Sequence, residues 1–476
     1  MPLSVLTDDQ VRLLLENLTL EELESFREEL RRALHDYSTN TQSMDEGLLH
    51  QPTRTSIHSA QSGITTLFMP SCSPAGHGVK VITLSSGSNL ENDDPKRPVI
   101  RPTGAITLFS ADGQPVGFLH ASTLTAFRTA LASSCLLVRR RTVRTLTVFG
   151  CGEQAYWHIR LALMFRGATV KHVNIINRRF SQNCKAILKR LYAVPAAMKE
   201  REGWGEATFG VLTPGYGEYE RLLREQVQAA DVLFCCTPST EPLFRGSILT
   251  SHEARLKGRL IVAIGSYTPA MRELPVELLR QATKTHEKGH RHFHKHAPEG
   301  GVVVVDTLDG ALKEAGEIIE AGLAPTQLVE LGELVMLHNI ALAEEDESQP
   351  SSRNSSLLSV PSAEFEKLDL DSSNGGGSSS RSALSSVFGS EGRSSTSSRP
   401  PSPSRKSSRP SLHHRSASHN AIDRQKRKDD HLARWLQEGN VIYKSVGLGL
   451  MDLAVGMKLV RFAQEKGVGS HIDGFS

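Results

Sequence analysis

TLTVFGCGEQA, residues 145–155, joins an apolar, β-branched run to a glycine-rich turn. Leu146 to Phe149 has the composition of a buried strand and stops at Gly150. Gly152 and Ala155 follow at the G-x-G-x-x-A spacing, and a helical pattern begins. Gly150 permits the tight turn, Gly152 a close backbone approach to a pyrophosphate, and Ala155 close packing of helix on strand. The loop Gly150-Cys151-Gly152-Glu153-Gln154 is therefore a candidate dinucleotide cradle, with phosphates on the free amides and positive dipole end of the helix.

A second strand, VKHVNIIN (170–177), follows and ends in Asn177-Arg178-Arg179. A site selective for NAD normally carries Asp or Glu here for the ribose 2′-hydroxyl, whereas arginine suits a 2′-phosphate. NADPH (NADP) is thus the favoured cofactor and NAD(H) the second. An arginine pair solvated in a loop is the alternative reading, since arginine is mostly exposed. Further strands are expected at 230–239, 258–269 and 301–310, separated by helices. Continuous apolar strands alternating with helices predict an α/β fold of Rossmann type, a doubly wound parallel sheet over about 142–346. Ligands bind outside the carboxyl ends of such strands, which puts Thr237 and Gly265-Ser266-Tyr267 beside the cofactor.

Upstream, residues 5–35 have two helical patterns. Thr7-Asp8-Asp9-Gln10 reads as a capping box, and Leu20, Leu23, Phe26, Leu30 and Leu34 form an apolar stripe. Extended segments are expected at 51–59, in TTLFMPS and in VKVITLSS, and a hairpin around Asp112-Gly113 in 104–121. Lys80 starts an apolar strand, where a lysine often only protects a sheet edge. Residues 122–141 form a helix rich in small residues. Arg128 stands on its small, apolar side, where an unpaired guanidinium is costly to bury without an anion. Residues 1–141 are the expected α+β substrate and dimerisation domain, and 428–476 a C-terminal helix returning to complete it.

Two insertions interrupt this order. The loop 284–298 has alternate histidines at 290, 292, 294 and 296; on a Lys/Arg-rich loop no metal site is expected from them. Residues 347–427 are Ser-, Pro-, Gly- and Arg-rich, with too little apolar surface to offset the entropy of ordering, so a disordered insertion is expected. It lacks the aromatic interleaving of a nucleic-acid tail. The 476 residues carry a net charge of +3, too small to imply a nucleic-acid or membrane surface. Six cysteines form no C-x-x-C pattern, and the Cys235-Cys236 pair lies in an apolar run that reads as core. No secretory leader and no apolar stretch of about 18 residues is evident. A cytoplasmic location with reduced thiols is the expectation.

PTRT (52–55), GHGVK (76–80) with SSGSN (85–89), LTAFRTALAS (124–133), FGCGEQAYWH (149–158), GSYTPAMREL (265–274), LDGALKEAGEI (308–318) and YKSVGLGLMDLA (443–454) follow one another in this order. Through them the chain resembles the ornithine cyclodeaminase/mu-crystallin family. The resemblance implies that Arg54, Lys80 and Arg128 bind a substrate carboxylate, with Lys80 near the reacting nitrogen, and that Val446 touches the substrate. It also implies cofactor contacts from Thr103, from 150–154, from 177–179, and from Thr237, Gly265, Ser266 and Ser445. Family members are commonly homodimers. Ornithine cyclodeaminases carry an Asp where this chain has Tyr267. Tyrosine, with an unperturbed pKa of about 10, is a poor base at neutral pH and cannot pair with an ammonium as a carboxylate does. The loop resembles the mu-crystallin and ketimine-reductase side of the family. Reduction of a small cyclic imino acid, or the reverse amino-acid oxidation, is therefore expected. Ornithine cyclodeamination, with Asp306 or Asp309 standing in for the missing carboxylate, and a non-catalytic nucleotide-bound protein remain as alternatives.

Overall fold

The expected first strand of the dinucleotide unit, β7 (Thr145–Phe149), is buried at four of its five positions. Both faces are covered, so every position from Leu146 to Phe149 is buried, including Thr147, whose hydroxyl donates to the Gln226 carbonyl at 2.9 Å. The structure is a computed structural model and describes residues 2–40, 49–59, 61–85, 102–284, 302–334 and 432–475. The histidine-rich loop and the 347–427 insertion lie outside the described residues.

Eight strands make the parallel sheet: β7, β8 (His172–Ile176), β9 (Thr208–Leu212), β10 (Val232–Cys235), β11 (Leu260–Ala263), β12 (Val303–Val305), β13 (Leu328–Glu330) and β14 (Val441–Lys444). Their order is β13-β12-β14-β11-β10-β7-β8-β9, and every pairing is parallel. The winding reverses between β7 and β10, and in an open α/β sheet that reversal opens the ligand crevice. β14 corrects one expectation. The 428–476 segment does not as a whole complete the first domain, because Val441–Lys444 is inserted between β11 and β12. Only the residues beyond it cross to the other sheet.

That second sheet has seven strands: β1 (Leu3–Leu6), β2 (Thr55–Ser59), β3 (Ile64–Ser73), β4 (Gly76–Ser85), β5 (Thr103–Phe109), β6 (Pro115–His120) and β15 (Ser470–Ile472), in the order β15-β1-β6-β5-β4-β3-β2. β1 was concealed by its brevity ahead of the capping box. The box itself forms: Thr7 caps α1 (Asp8–Glu16), accepting from the Gln10 amide. In α2 (Leu20–Asn40) the stripe Leu23, Phe26, Leu30 and Leu34 is buried, whereas Leu20 is 54% exposed because it precedes the packed face. Lys80 lies on an interior strand, between β3 and β5, and is 2% exposed, so it guards no sheet edge.

Between the sheets runs α3 (Ala121–Leu137), in which every residue except Ser122 and Thr125 is buried. A helix buried all round needs small side chains to let its neighbours approach, which accounts for its Ala/Ser/Thr composition. Asp8 fixes its start, accepting from the Thr123 amide and hydroxyl at 2.9 Å each. The C-terminal helix (Gly449–Lys466) packs on α2 and on β3–β6. Among the described residues, no helix is long and apolar enough to cross a membrane.

Candidate active site

Ser122 and Thr125 face a cavity of about 630 Å³ between the two sheets. Its floor comes from β4, α3 and the segment after β14, and its dinucleotide side from the loop after β7. Arg54, Lys80, Arg128, Cys151, Gly152, Glu153, Gln154, Gly265, Ser445 and Val446, all singled out from sequence, line it together.

The floor is a network of charges. Lys80 Nζ donates to Asp452 Oδ2 at 2.5 Å, and Arg128 Nε donates to Asp452 Oδ1 at 3.0 Å; all three side chains are at most 3% exposed. Arg54 is ion-paired with Glu314 and donates to the Val446 carbonyl at 3.1 Å. Three cations against two carboxylates leave one surplus positive charge, in a place where uncompensated charge is expensive. Burial, opposed by Asp452 and reinforced by Arg128, lowers the Lys80 ammonium to about 8. Asp452 went unassigned in the sequence. It stands within YKSVGLGLMDLA, but nothing local reveals that it meets residues more than 300 positions away.

The segment over this floor is held from below. Asp306 Oδ2 accepts from Ser445 Oγ (2.8 Å), the Val446 amide (3.0 Å) and the Gly447 amide (2.7 Å). Gly447 has φ +87°, and a Cβ there would lie 3.0 Å from Arg128 Nη2, so only glycine lets the guanidinium lie against this turn. Asp306 is thus occupied in the scaffold. Asp309 pairs with Lys313 at the surface, 68% exposed, and Tyr267 lines the cavity where a cyclodeaminase would present its carboxylate. Neither expected substitute carboxylate reaches the cavity.

The dinucleotide side fits such a ligand. Gly150 has φ +106°, and a Cβ would press against Cys236 O and Thr237 Cγ2 at 3.0 Å. Gly152 caps α4 (Glu153–Arg166) without any side-chain hydrogen bond, and a Cβ built on it meets nothing within 4 Å. Uncapped amides at a helix start beside open space are what a pyrophosphate requires. Cys151 Sγ lies 2.8 Å from Cys184 Sγ, joining this loop to α5 (Gln182–Ala193). Arg190 of α5 reaches Glu153 (2.7 Å) and Glu16 of α1 (2.9 Å). At the end of β8, Asn177 Nδ2 donates to Arg179 O at 2.8 Å, and Arg178 and Arg179 are exposed.

Other sequence candidates are tied into the scaffold around the cavity. Thr237 and Gly265 are locked by Glu273, which accepts from the amides of Thr237 (2.8 Å), Gly265 (2.6 Å) and Ser266 (3.2 Å). The Ser266 side chain is fully buried, its hydroxyl on Glu317 and on the Lys444 ammonium, so it faces the core. Thr103 begins β5, exposed, with its hydroxyl 3.4 Å from His120 Nε2. Neither Ser266 nor Thr103 lines the cavity. Among the described residues, no group of three or more His, Cys, Asp or Glu is disposed to hold a metal.

Residues 16–204 match the family model described as the ornithine cyclodeaminase/mu-crystallin family. An uncharacterized protein of Saccharomyces cerevisiae is 28% identical over 363 residues, covering 71% of this chain and 88% of its own length. The Δ1-pyrroline-2-carboxylate reductase of Bacillus cereus is 26% identical over 293 residues, covering 60% and 74%. In fold, the chain resembles the Thermococcus litoralis Δ1-pyrroline-2-carboxylate reductase solved with NADH and L-proline, with a TM-score of 0.58, 17% identity, and coverage of 98% and 100%.

Proposed function

For a chain whose residues 16–204 match the model of the ornithine cyclodeaminase/mu-crystallin family, we propose NAD(P)H-dependent reduction of the C=N bond of a small cyclic 2-imino acid, with amino-acid oxidation as the reverse. The observation that carries it is the surplus positive charge of the Arg54–Lys80–Arg128 cluster facing an uncapped dinucleotide cradle. One carboxylate neutralises that surplus, and forked guanidinium groups receive it bidentately.

A bound nicotinamide cofactor supplies the hydride. The protein's own part is orientation, electrostatics and one proton. Arg128 has Nε committed to Asp452 and Nη1 on the Met451 thioether at 3.2 Å, a weak acceptor that a substrate carboxylate outcompetes for the terminal nitrogens, with Arg54 opposite. Lys80 faces the imine nitrogen: as the C=N π bond opens, its ammonium gives that nitrogen a proton and becomes a neutral amine. A donor near 8 retains its proton at neutral pH yet releases it readily. Asp452 holds that ammonium in place.

NADPH is the proposed cofactor, supported by the exposed Arg178 and Arg179 at the end of β8. Homodimerisation is proposed from the family resemblance, and light scattering on the purified protein tests it. Cyclodeamination finds no support in the cavity, where Tyr267 replaces the carboxylate and Asp306 is already bonded. The test is NADPH oxidation with pyrroline-2-carboxylate or piperideine-2-carboxylate, beside ammonia release from ornithine with NAD. Imine-dependent oxidation lost at least a hundredfold in Lys80→Ala is the expected result, since a positioned proton donor contributes about 10²–10⁴-fold. Ammonia and proline from ornithine would overturn it.

A further inference from the structure

Beyond Lys80 the cavity wall changes character. In the β3–β4 ladder Met69 pairs with Lys80, Leu67 with Ile82, and Thr65 with Leu84. Side chains two apart on a strand share a face, so Lys80, Ile82 and Leu84 point the same way, with Met69 and Leu67 beside them. All five line the cavity. Leaving the ammonium, the wall is thus an apolar stripe; Lys80 to Leu84 spans about 14 Å at the usual strand rise. Leu67 and Leu84 keep part of their surface open rather than buried in the core.

Charge is distributed to match. The cations Arg54, Lys80 and Arg128 gather at one end. Among the described lining residues, Glu153 is the one carboxylate, and it lies at the glycine-rich loop, held by Arg190. A second ammonium on the substrate would be desolvated against leucine and isoleucine with no counter-ion, and a second carboxylate would fare no better. Tyr267 and Ile264 also line the cavity and add no charge to it at neutral pH.

We propose that the substrate is a 2-imino acid whose carbon frame beyond the imine is apolar and uncharged, lying along Leu67, Met69, Ile82 and Leu84, and that distal ammonium and carboxylate groups are selected against. This rests on the reductase reading and names the substrate class of the same site.

The experiment is a ladder of imines formed in place from methylamine and 2-oxo acids of increasing alkyl length. The imine of 2-oxoglutarate is the charged control, and NADPH oxidation is followed. Each methylene buried on the stripe is expected to raise kcat/KM about fourfold, and the charged imine to be used far less well than the uncharged one of equal length. In Leu67→Asn and Ile82→Asn the slope of the ladder flattens. A flat wild-type ladder, or preference for the charged imine, with cyclic ketimines still reduced, overturns the inference and leaves the reductase reading standing. If no imine is reduced although NADPH binds, the reductase reading fails. Calorimetric titration of norleucine, ornithine and glutamate into the NADP-loaded protein then decides the wall's preference separately. Binding of norleucine at least tenfold tighter than the other two supports it, and equal binding overturns it.

Discussion

Asp452 sits where one carboxylate can neutralise two cations, and both of its oxygens are used, on Lys80 and Arg128. Breaking a buried pair by removing one partner costs about 3–5 kcal/mol, because the remaining charge stays buried. Asp452→Asn is therefore expected to lower stability by roughly that amount in denaturant titrations. It has a second, more specific signature. The proposed reduction needs Lys80 protonated, so kcat/KM is expected to hold at neutral pH and fall as pH rises through about 8. Asp452 raises the proton affinity of Lys80, so the asparagine variant moves this descending limb to lower pH and Asp452→Glu restores it. An unmoved limb would mean that Lys80 is not the titrating donor. Linkage gives the same site a stability term. Burial lowers the folded-state Lys80 below its ordinary 10.5, so between about pH 8 and 10.5 the unfolded chain holds more protons, and this site's contribution to stability rises with pH. Arg128 could be singled out in the sequence because a cation on a small, apolar helix face is anomalous, and Lys80 through the family resemblance, its own surroundings reading as a sheet edge. Asp452 could not, because a single carboxylate on an amphipathic helix is ordinary until its neighbours are known.

At the level of the element, the turn after β14 forms part of the floor of the cavity, at the proposed substrate end. Its three donors converge on Asp306, and Gly447 takes φ +87° to bring backbone against Arg128. Gly447→Ala places a methyl 3.0 Å from Arg128 Nη2 in a conformation that costs an L-residue about 1–2 kcal/mol. The expected outcome is a loss of stability of that order, with KM for the imine raised and cofactor affinity nearly unchanged; the measurements are thermal unfolding and steady-state kinetics. An unchanged KM would separate the turn from carboxylate binding. Helices and strands here were legible because their signals are local: the Thr7 capping box, the stripe of α2, and the β-branched, apolar run of β7 that stops at Gly150. β14 was read only as an extended lead-in to a helix, since the three apolar residues Val441, Ile442 and Tyr443 do not say which sheet they join.

Across the whole molecule, the candidate cofactor cradle follows a strand of one sheet and Lys80 lies in the other, with Arg128 on α3 between them. A ligand that bridges them stabilises the assembled state: at a hundred times its Kd it adds about 2.7 kcal/mol. NADPH is expected to raise the unfolding temperature more than NADH at equal concentration, and Arg178→Ala with Arg179→Ala to abolish the difference. Equal shifts in the unaltered protein would sink the proposed preference for the 2′-phosphate.

The glycine spacing at 150–155 and the strand–helix alternation that follows are properties of neighbouring residues, and they made the doubly wound sheet legible in the sequence alone, whereas the cations at 54, 80 and 128 became candidate substrate anchors only through the family resemblance. The pairing of those cations was decided only by tertiary structure. Arg54 meets Glu314 across 260 residues, Arg128 meets Asp452 across 324, and Lys80 meets Asp452 across 372. Side-chain periodicity extends over a few turns or a few strand positions, whereas these contacts exist only once two sheets have folded and the chain has crossed between them.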